Sequence, residues 1–587
     1  MRVAMVATRE SAVVEHPRAP RRLERPARRG LRRVVRAMFG VRRPPLCRTT
    51  SGKAAVRPLP RGHPKGDRAA LPPARAVRYE DERLHRPAGH PAPSSPRRHG
   101  TPRSAPVSVH RAAAFTGGVP VVDGGEDGML QVSVEDTEIR PGRAHRWHLV
   151  PVSGEGSSAV RRLAGYNQAK HFTVAQHARS VNEPIRSYVA ATFEVTEPVD
   201  LDALGDALLH LVRRHEVLRA FYEPLDGDLS CEVLSPGEVA LKHVETDQLE
   251  TSAQVGAHLH QAFQEVETLS WPLIAMGAVV RDDSATVWFS CDHLVTDGLS
   301  TAIALDDIAG AYRALTAGEA LAPVEAGSYL EFSRNQRRGN QGLRADDPRL
   351  EYWRDFTERD GGLFPRFPLD LGTVPGRLYA PVTTTERLLD AQGVEVFEAA
   401  CGARGGRLST GLLAALATAV REEGGPAVYR GLVPVNERGR GVYEQSVGWF
   451  VNTLPIEFAV GRVEGFADTL TAAQTAFARM RAHAGVHFVQ AWRLLAPAEY
   501  ARLHYWPHAV NFYSYIDFRR MPGAAYHGGQ RARMHVWVSG CNGILHWFHR
   551  AEDGLHVNSI HVDTPQARVT HEALLHTLTR TVTTVSQ

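Results

Sequence analysis

The sequence predicts a mixed α/β (α+β) fold made of two similar lobes. Strand-like and helix-like patterns alternate from about Val132 onward, and the second half of the chain repeats the style of the first. A polar, loop-like stretch at Gly339–Asp347 lies between the two halves. With roughly 150 residues per domain as a prior, we predict a leader at 1–128, a first lobe at 129–345 and a second lobe at 346–587.

In the first half, β-branched and alternating runs predict strands, and one-sided apolar patterns predict helices. A helix is predicted from Pro198 because its first turn is acidic and Arg213 and Arg214 come towards its end, as the helix dipole favours. The other predicted elements are strands at Tyr188–Val195, Leu273–Val280 and Ala285–Asp292, and helices at Gln254–Glu267 and Leu299–Leu315.

The second half continues this alternation. Its predicted strands are Thr383–Leu389, Tyr429–Val435, Trp449–Phe458, Ala509–Tyr515, Met534–Val538, Ile544–His549 and Leu555–His561. Its predicted helices are Gln392–Ala403, Thr410–Glu422, Phe466–Ala484 and Thr570–Thr579. The most apolar stretch, Gly411–Val420, is much shorter than the roughly 18–20 residues needed to cross a bilayer, so no membrane span is expected.

The first 100 residues have a composition of their own. They hold 25 Arg and Lys against 7 Asp and Glu, a net charge of +18, and 14 of the 37 prolines. Such a segment cannot bury enough apolar surface to offset its chain entropy, so we predict a disordered leader. Translation from too early a start is the favoured explanation, because Met129 opens a stretch of ordinary composition; a transit peptide and a nucleic-acid-binding tail are the alternatives.

Charge and cysteine usage exclude several classes of protein. The net charge of the whole chain is +5, so the 487 residues after the first 100 carry −13, which excludes a chain that binds nucleic acid along its length. Five scattered cysteines without a CxxC pair favour a reducing cytoplasm over secretion. We therefore expect a cytoplasmic protein of enzyme size that acts as a monomer.

A histidine followed by Asp-Gly lies where a predicted strand meets a predicted helix. In Ser290–Ser300, His293 follows the apolar strand, and Asp297 and Gly298 come four and five residues later. An imidazole at this junction suits a general base for a hydroxyl, amine or thiol. Gly298 permits close backbone approach, and N–H groups at a helix start can stabilise an oxyanion. On spacing alone, a hydrogen-bonded structural histidine is the alternative.

The segments around this motif resemble, in order, those of the condensation domains of nonribosomal peptide synthetases. Within that superfamily they are most similar to stand-alone polyketide-associated acyltransferases. The resemblance covers about residues 160–580 through Tyr166–His171, Arg214–Arg219, Asp292–Gly298, Val433–Arg440, Val447–Pro455 and Val510–Asp517. It implies two chloramphenicol-acetyltransferase-like lobes that form a V-shaped pseudodimer around a central tunnel.

The resemblance also implies roles for individual residues. His293 is expected to be the catalytic or positioning base, and Gly298 to give backbone access near a thioester carbonyl. Asp297 is expected to be structural and to pair with an arginine, because a buried carboxylate needs a partner to offset its desolvation. The candidates for that arginine, in order of preference, are Arg440, Arg219 and Arg213.

One departure from the family pattern bears on function. Asp292 stands where many peptide-forming members have the first histidine of HHxxxDG, a position that is usually structural. The exchange favours ester or amide acylation by a stand-alone enzyme over peptide synthesis. It leaves open a catalytically silent platform that recruits a partner enzyme or carrier protein, and epimerase or cyclase chemistry is a third alternative. Trp449 and Asn452 are expected to line the tunnel at the lobe interface, with a place in the core as the alternative because both lie in a predicted strand.

The donor and acceptor follow from the resemblance and from what the chain lacks. It has no adenylation signature and no Gly-Gly-x-Ser carrier segment, so the donor is expected to be a phosphopantetheine thioester on an acyl or peptidyl carrier protein in trans, or a coenzyme A thioester. The acceptor is a small-molecule amine or alcohol, in secondary-metabolite or lipid biosynthesis. No permanently bound cofactor is expected.

Other chemistry-bearing residues have simpler structural explanations. Cys291 lies two residues before His293 on the same strand face, which more often indicates a small core side chain than a nucleophile. Two histidine pairs have spacings that a metal site uses, His258 with His260 and His546 with His549. Because the members of each pair diverge and no carboxylate or cysteine cluster lies beside them, no metal site is expected.

Overall fold

Residues 128–152, 161–321, 326–360, 362–502 and 508–587 are described by a computed structural model of the chain. The predicted leader, apart from Gly128, lies outside these residues. Strands and helices are numbered below in chain order.

A seven-stranded sheet forms the centre of the first lobe. Across the sheet the strands are β1 (Leu130–Gln131), β14 (Arg533–Val538), β4 (Ser187–Val195), β9 (Ala285–Asp292), β8 (Ile274–Val280), β2 (Gly142–Pro151) and β7 (Val239–Leu249). Three further strands, β3 (Arg162–Leu163), β6 (Asp228–Val233) and β5 (Ala220–Leu225), form a small sheet in the order given.

Helices of the first lobe cover both faces of the large sheet. They are α1 (Tyr166–Ser180), α2 (Leu201–Arg214), α3 (Ser252–Phe263), α4 (Gly298–Thr316) and α5 (Tyr329–Gly339). Val287 and Phe289 of β9 belong to one buried cluster with residues of α2 and α4, and Trp288, on the opposite face, belongs to another with residues of α3. Strand β9 is therefore buried on both sides along its length.

The second lobe is built around a second mixed sheet. Its strands are, in order, β10 (Pro381–Asp390), β16 (Gly554–Val562), β15 (Ile544–Arg550) and β13 (Tyr513–Asp517). A parallel bridge from Leu432 to Phe512, beside β13, adds the pair β11 (Val428–Asn436) and β12 (Val451–Ala459). The helices after α5 are α6 (Glu351–Asp360), α7 (Ala391–Gly402), α8 (Leu408–Glu422), α9 (Phe466–Ala482), α10 (Phe488–Leu495), α11 (Pro497–Arg502), α12 (Ala524–His527) and α13 (Pro565–Ser586).

Strand β14 connects the two halves of the chain. It comes from the second half of the sequence, between β13 and β15 of the second sheet, yet it pairs antiparallel with β4 and parallel with β1 in the first sheet. The predicted strand Met534–Val538 therefore exists, but it lies in the first lobe's sheet and not in that of the second. A local pattern could not predict this, because strand periodicity carries no information on the partner strand.

Gly277 of β8 gives a test of how closely this sheet packs. A Cβ at position 277 would lie 2.4 Å from Cζ2 of Trp288 and 2.5 Å from the His145 carbonyl oxygen, whereas a Cβ at Gly256, in α3, would meet nothing within 4 Å. We expect Gly277→Ala to lower the free energy of unfolding by about 1–3 kcal/mol through overpacking. Gly256→Ala should leave it unchanged or raise it by up to about 1 kcal/mol. Urea unfolding of both variants checks this, and equal stabilities would contradict it.

Candidate active site

The predicted base lies at the carboxyl end of β9. The strand stops at Asp292, a single 3₁₀ turn follows at His293–Val295, and α4 begins at Gly298. Each aspartate of the motif caps the element after it. Asp292 Oδ1 accepts from the Leu294 N–H (2.8 Å), and Asp297 Oδ1 accepts from the Ser300 N–H (2.9 Å). Two caps five residues apart thus fix the turn that carries His293.

The His293 ring is partly exposed and lies between residues from both halves of the chain. Its centroid is 4.2 Å from the Trp449 ring, which comes from the connection between β11 and β12, and 6.4 Å from the His171 ring on α1. Nδ1 is buried and bonds no other residue, and its polar neighbour is the residue's own carbonyl. Among the described residues, Nε2 has no hydrogen-bond partner.

The environment of His293 keeps its imidazole neutral. Burial lowers the pKa of His293 below the ordinary 6.5, and His171 lowers it further; its own carbonyl, Asp292 and Asp297 act in the opposite sense. In a neutral imidazole one ring nitrogen carries the proton and the other offers its lone pair. Such a lone pair can accept a proton.

A buried ion pair fixes Asp297. Arg438 Nη1 donates to Oδ2 (2.9 Å) and Nη2 to Oδ1 (2.8 Å), and the Phe450 N–H also donates to Oδ2 (2.9 Å). The side chains of Asp297 and Arg438 are 3% and 1% exposed. Burial alone would raise the pKa of Asp297, but Arg438 and the N–H groups of Ser300 and Phe450 outweigh it and hold that pKa below its usual value.

Residues 437–450, which we name the crossover loop, follow β11 of the second lobe and contain Arg438, the partner of Asp297. The Ser300 hydroxyl donates to the Gly448 carbonyl (2.9 Å) and accepts from the Gly448 N–H (3.0 Å), and Arg438 Nη2 donates to the same hydroxyl (2.7 Å). The Val447 N–H donates to Nδ1 of His215 (3.3 Å). Gly448 and Phe450, the residues before and after Trp449, are thus both bonded to the first lobe, and this holds Trp449 against His293.

The arginine predicted to pair with Asp297 was the wrong one. Arg438 forms the pair, whereas Arg440 is exposed and beyond reach. The physical reason is a turn: the Arg438 N–H is held by Asn436 Oδ1 (3.0 Å), and Gly439, with φ of +64°, then turns the chain so that Arg440 points outward.

The two other candidate arginines bond backbone carbonyls. Arg219 is buried, and its Nη1 donates to the carbonyls of Val212 (2.6 Å) and Arg213 (2.5 Å), which lack partners at the end of α2. Its Nε donates to the Leu234 carbonyl (2.9 Å), and Nε of Arg213 donates to that of Pro236 (3.1 Å). Arg219 is thus a structural residue of the first lobe, as a helix cap rather than as the partner of Asp297.

Asp292 has its own set of partners. Its side chain is 1% exposed, its Oδ2 accepts from the Thr268 hydroxyl (2.7 Å), and its Oδ1 lies 3.5 Å from Nε2 of His171. His171 also contacts the edge of the Trp449 ring, with centroids 5.6 Å apart. The sequence segment containing His171 was matched to the family, but no role was predicted for the residue.

Gly298 and the two predicted tunnel residues differ in their surroundings. A Cβ at Gly298 would lie 3.3 Å from Cδ1 of Ile516 in β13, so the start of α4 faces the second lobe. Trp449 is partly exposed beside His293. Asn452, by contrast, is fully buried, donates to the carbonyls of Ala484 and Val486, and accepts from the Phe488 N–H. Asn452 is therefore a structural residue of the second lobe, and its predicted place in a tunnel lining is wrong.

A glutamine missed by sequence reasoning holds α1 against the turn that carries His293. Gln168 Nε2 donates to the Leu294 carbonyl and to the Tyr222 hydroxyl, both at 2.8 Å, and Oε1 accepts from the Gly165 N–H (2.9 Å). The signal was present, since Gln168 is the glutamine of the matched segment Tyr166–His171. A polar side chain in a helix does not by itself indicate which backbone it will bond.

The remaining candidates lie outside this chemistry. Cys291 is buried in the first lobe's core, and burial raises the pKa of its thiol far above the usual range. Within the described residues, no group of three or more His, Cys, Asp or Glu side chains is arranged to hold a metal ion. Two cavities of about 120 and 150 Å³ are lined by other residues than His293, so the tunnel stays a prediction.

Comparison with known families decides the assignment. The family model described as "Condensation domain" matches residues 174–517, more than half of the chain. The chain belongs to the condensation-domain family. No helix of the described part of the chain has the length and apolar character to cross a membrane.

Individual relatives agree with this membership. The chain is 30% identical over 353 residues to the 2'-acyl-2-O-sulfo-trehalose (hydroxy)phthioceranyltransferase PapA1 of Mycobacterium tuberculosis (strain ATCC 25177 / H37Ra), a match that covers 59% of this chain and 67% of that protein. A solved PapA2 acyl transferase superposes with a TM-score of 0.70 at 22% identity, covering 78% of this chain and 100% of the other. The first condensation domain of the calcium-dependent antibiotic synthetase gives 0.57 at 19%, covering 73% and 98%. The predicted fold class and the predicted enzyme class, an acyltransferase, are confirmed.

The Asp297–Arg438 pair can be tested against its exposed neighbour. Arg438→Met leaves a buried carboxylate without a countercharge, so we expect a loss of about 3–5 kcal/mol in the free energy of unfolding. Arg438→Lys should recover only part of it, because one ammonium cannot replace the two-point contact. Arg440→Met is the matched control and should change stability by less than about 0.5 kcal/mol. Equal losses at 438 and 440, measured by chemical denaturation, would contradict the pairing.

Proposed function

We propose that this condensation-domain enzyme transfers an acyl group from a thioester to a small-molecule hydroxyl or amine, with His293 as the base. The observation that carries the proposal is the place of the His293 ring, whose centroid lies 4.2 Å from that of Trp449 where the two halves of the chain meet. A passage between the lobes would bring donor and acceptor to this ring from opposite sides.

The reaction uses one base and no covalent acyl-enzyme. Nε2 of His293 takes the proton of the acceptor as its oxygen or nitrogen attacks the thioester carbonyl. In this mechanism the backbone N–H at Gly298, at the positive end of α4, stabilises the tetrahedral oxyanion. The C–S bond then breaks, and the proton on Nε2 passes to the leaving thiolate. Cys291 has no part in this, because its thiol is buried and protonated.

The donor in this proposal is an acyl thioester of a carrier protein acting in trans, or of coenzyme A. Both present the same phosphopantetheine arm and thioester carbonyl, and His293 needs only that carbonyl. Competition between acyl-coenzyme A and acyl-carrier protein as donors, at equal concentration with one acceptor, separates the two sources.

A hydroxyl acceptor is favoured over an amine. The printed name of the PapA1 relative describes acyl transfer to an acylated sulfotrehalose, whereas Asp292 in place of the motif's first histidine is compatible with either an ester or an amide product. We therefore place the enzyme in lipid or secondary-metabolite biosynthesis, with an alcohol as its first candidate acceptor.

Removal of the imidazole tests catalysis directly. We expect His293→Ala to lower kcat by about 10²- to 10⁴-fold, the usual contribution of a general base, with unchanged circular dichroism. His177→Ala, six residues further along α1 than His171, is the matched control and should retain activity. Product formation at the wild-type rate by His293→Ala would instead support the platform that recruits a partner.

The pH dependence of acyl transfer gives a second test. Only neutral His293 can take a proton, and burial and His171 lower the pKa of that ring below 6.5. We therefore expect kcat/KM to rise with pH to a plateau reached before neutrality, with its half-maximum below pH 6.5. A half-maximum above pH 6.5, measured with a donor and acceptor that do not titrate in this range, would contradict this environment for the base.

A further inference from the structure

A second imidazole, on a different element, lies in the proposed active site. His171 comes from α1, its ring centroid is 6.4 Å from that of His293, and its side chain is 20% exposed. Nε2 lies 3.5 Å from Asp292 Oδ1 and 3.3 Å from the Thr268 hydroxyl. Within the described part of the chain, Nδ1 makes no hydrogen bond. The ring is thus held at one nitrogen while its other edge faces Trp449 and His293.

The charge on Asp292 explains why this imidazole matters. The carboxylate is 1% exposed, and its two hydrogen bonds, from Thr268 and the Leu294 N–H, come from neutral groups. Across the described residues, no arginine or lysine pairs with Asp292, so His171 is the group able to supply a countercharge. A buried carboxylate without one is costly. The motif's other aspartate, Asp297, already has Arg438.

We propose that His171, held by Asp292 and Thr268, is a positioning residue that supplies the countercharge of Asp292 and through it tunes His293 as the base. This inference rests on the proposed function, because it assigns His171 a role in the same acyl transfer. The charged and titratable groups that act on His293 are His171 from α1, Asp292 and Asp297 from its own segment, and Arg438 of the crossover loop, which offsets Asp297. After burial, which has the largest effect, His171 is the group among these that opposes protonation of His293.

The direction of the effect follows from the sign of the charge. A cation near His293 opposes its protonation, so His171 lowers the pKa of His293. If the charge is removed while the hydrogen bond to Asp292 is kept, the pKa of His293 should rise. A group with a purely structural role would leave the titration of His293 unchanged as long as the fold is preserved.

Two substitutions separate charge from structure. In His171→Gln the side-chain amide can take the place of Nε2 and donate to Asp292, but it carries no charge. His171→Lys keeps a positive charge without the ring. His177→Gln, six residues further along α1, is the matched control. The probe is the NMR titration of His293 in protein labelled with ¹³Cε1-histidine, assigned with His293→Ala, together with the pH dependence of kcat/KM.

We expect the pKa of His293 to rise by about one unit in His171→Gln, as for loss of a charge near 6 Å, with the acidic limb of kcat/KM moving in parallel. His171→Lys should restore most of the wild-type value, and His177→Gln should not change it. An unchanged His293 titration in folded His171→Gln, or equal shifts in the Gln and Lys variants, would overturn the proposal. Full activity of His293→Ala would refute the proposed function instead, and the NMR titration would still decide the role of His171.

Discussion

The ion pair between Asp297 and Arg438 is the constraint on which the site depends. It joins the start of α4 in the first lobe to the crossover loop of the second, with both side chains removed from water. Two buried charges of this kind are stable only when every hydrogen-bonding position is used, and here Ser300 and Phe450 complete the set. Because Phe450 donates to Asp297, the preceding Trp449 is fixed over His293. The position of the base therefore depends on contact between the halves of the chain.

The two aspartates of the motif have opposite relations to the base between them. Asp297 is neutralised by a permanent cation, Arg438, and so holds the loop without perturbing His293 strongly. Asp292 lies beside an imidazole instead, with its Oδ1 3.5 Å from Nε2 of His171. One aspartate thus fixes geometry, and the other couples the base to a second ionisable group. Burial of His293 is the largest influence on its ring, and it disfavours the protonated form.

Sequence patterns predicted the helices and strands better than they predicted which residues and strands contact each other. Strands such as β9 and the apolar helix α8 were found because their own residues carry strong periodicity or continuous hydrophobicity. The choice of Arg438 over Arg440 depends on one turn at Gly439, and the place of β14 in the first sheet depends on pairing between distant strands. Asn452 was misassigned because its bonds to the chain at 484–488 are non-local. The role of His171 becomes visible only when α1 is placed beside Asp292.

Affinity labelling with an electrophilic thioester tests the central claim most directly. Bromoacetyl-pantetheine presents a reactive carbon next to a thioester carbonyl, and a neutral Nε2 that the donor can reach will displace bromide and form a stable N–C bond. We predict that mass spectrometry finds one modified residue, His293, and that acyl transfer is lost in proportion to labelling. Labelling at other residues with His293 unmodified and activity retained would contradict the account.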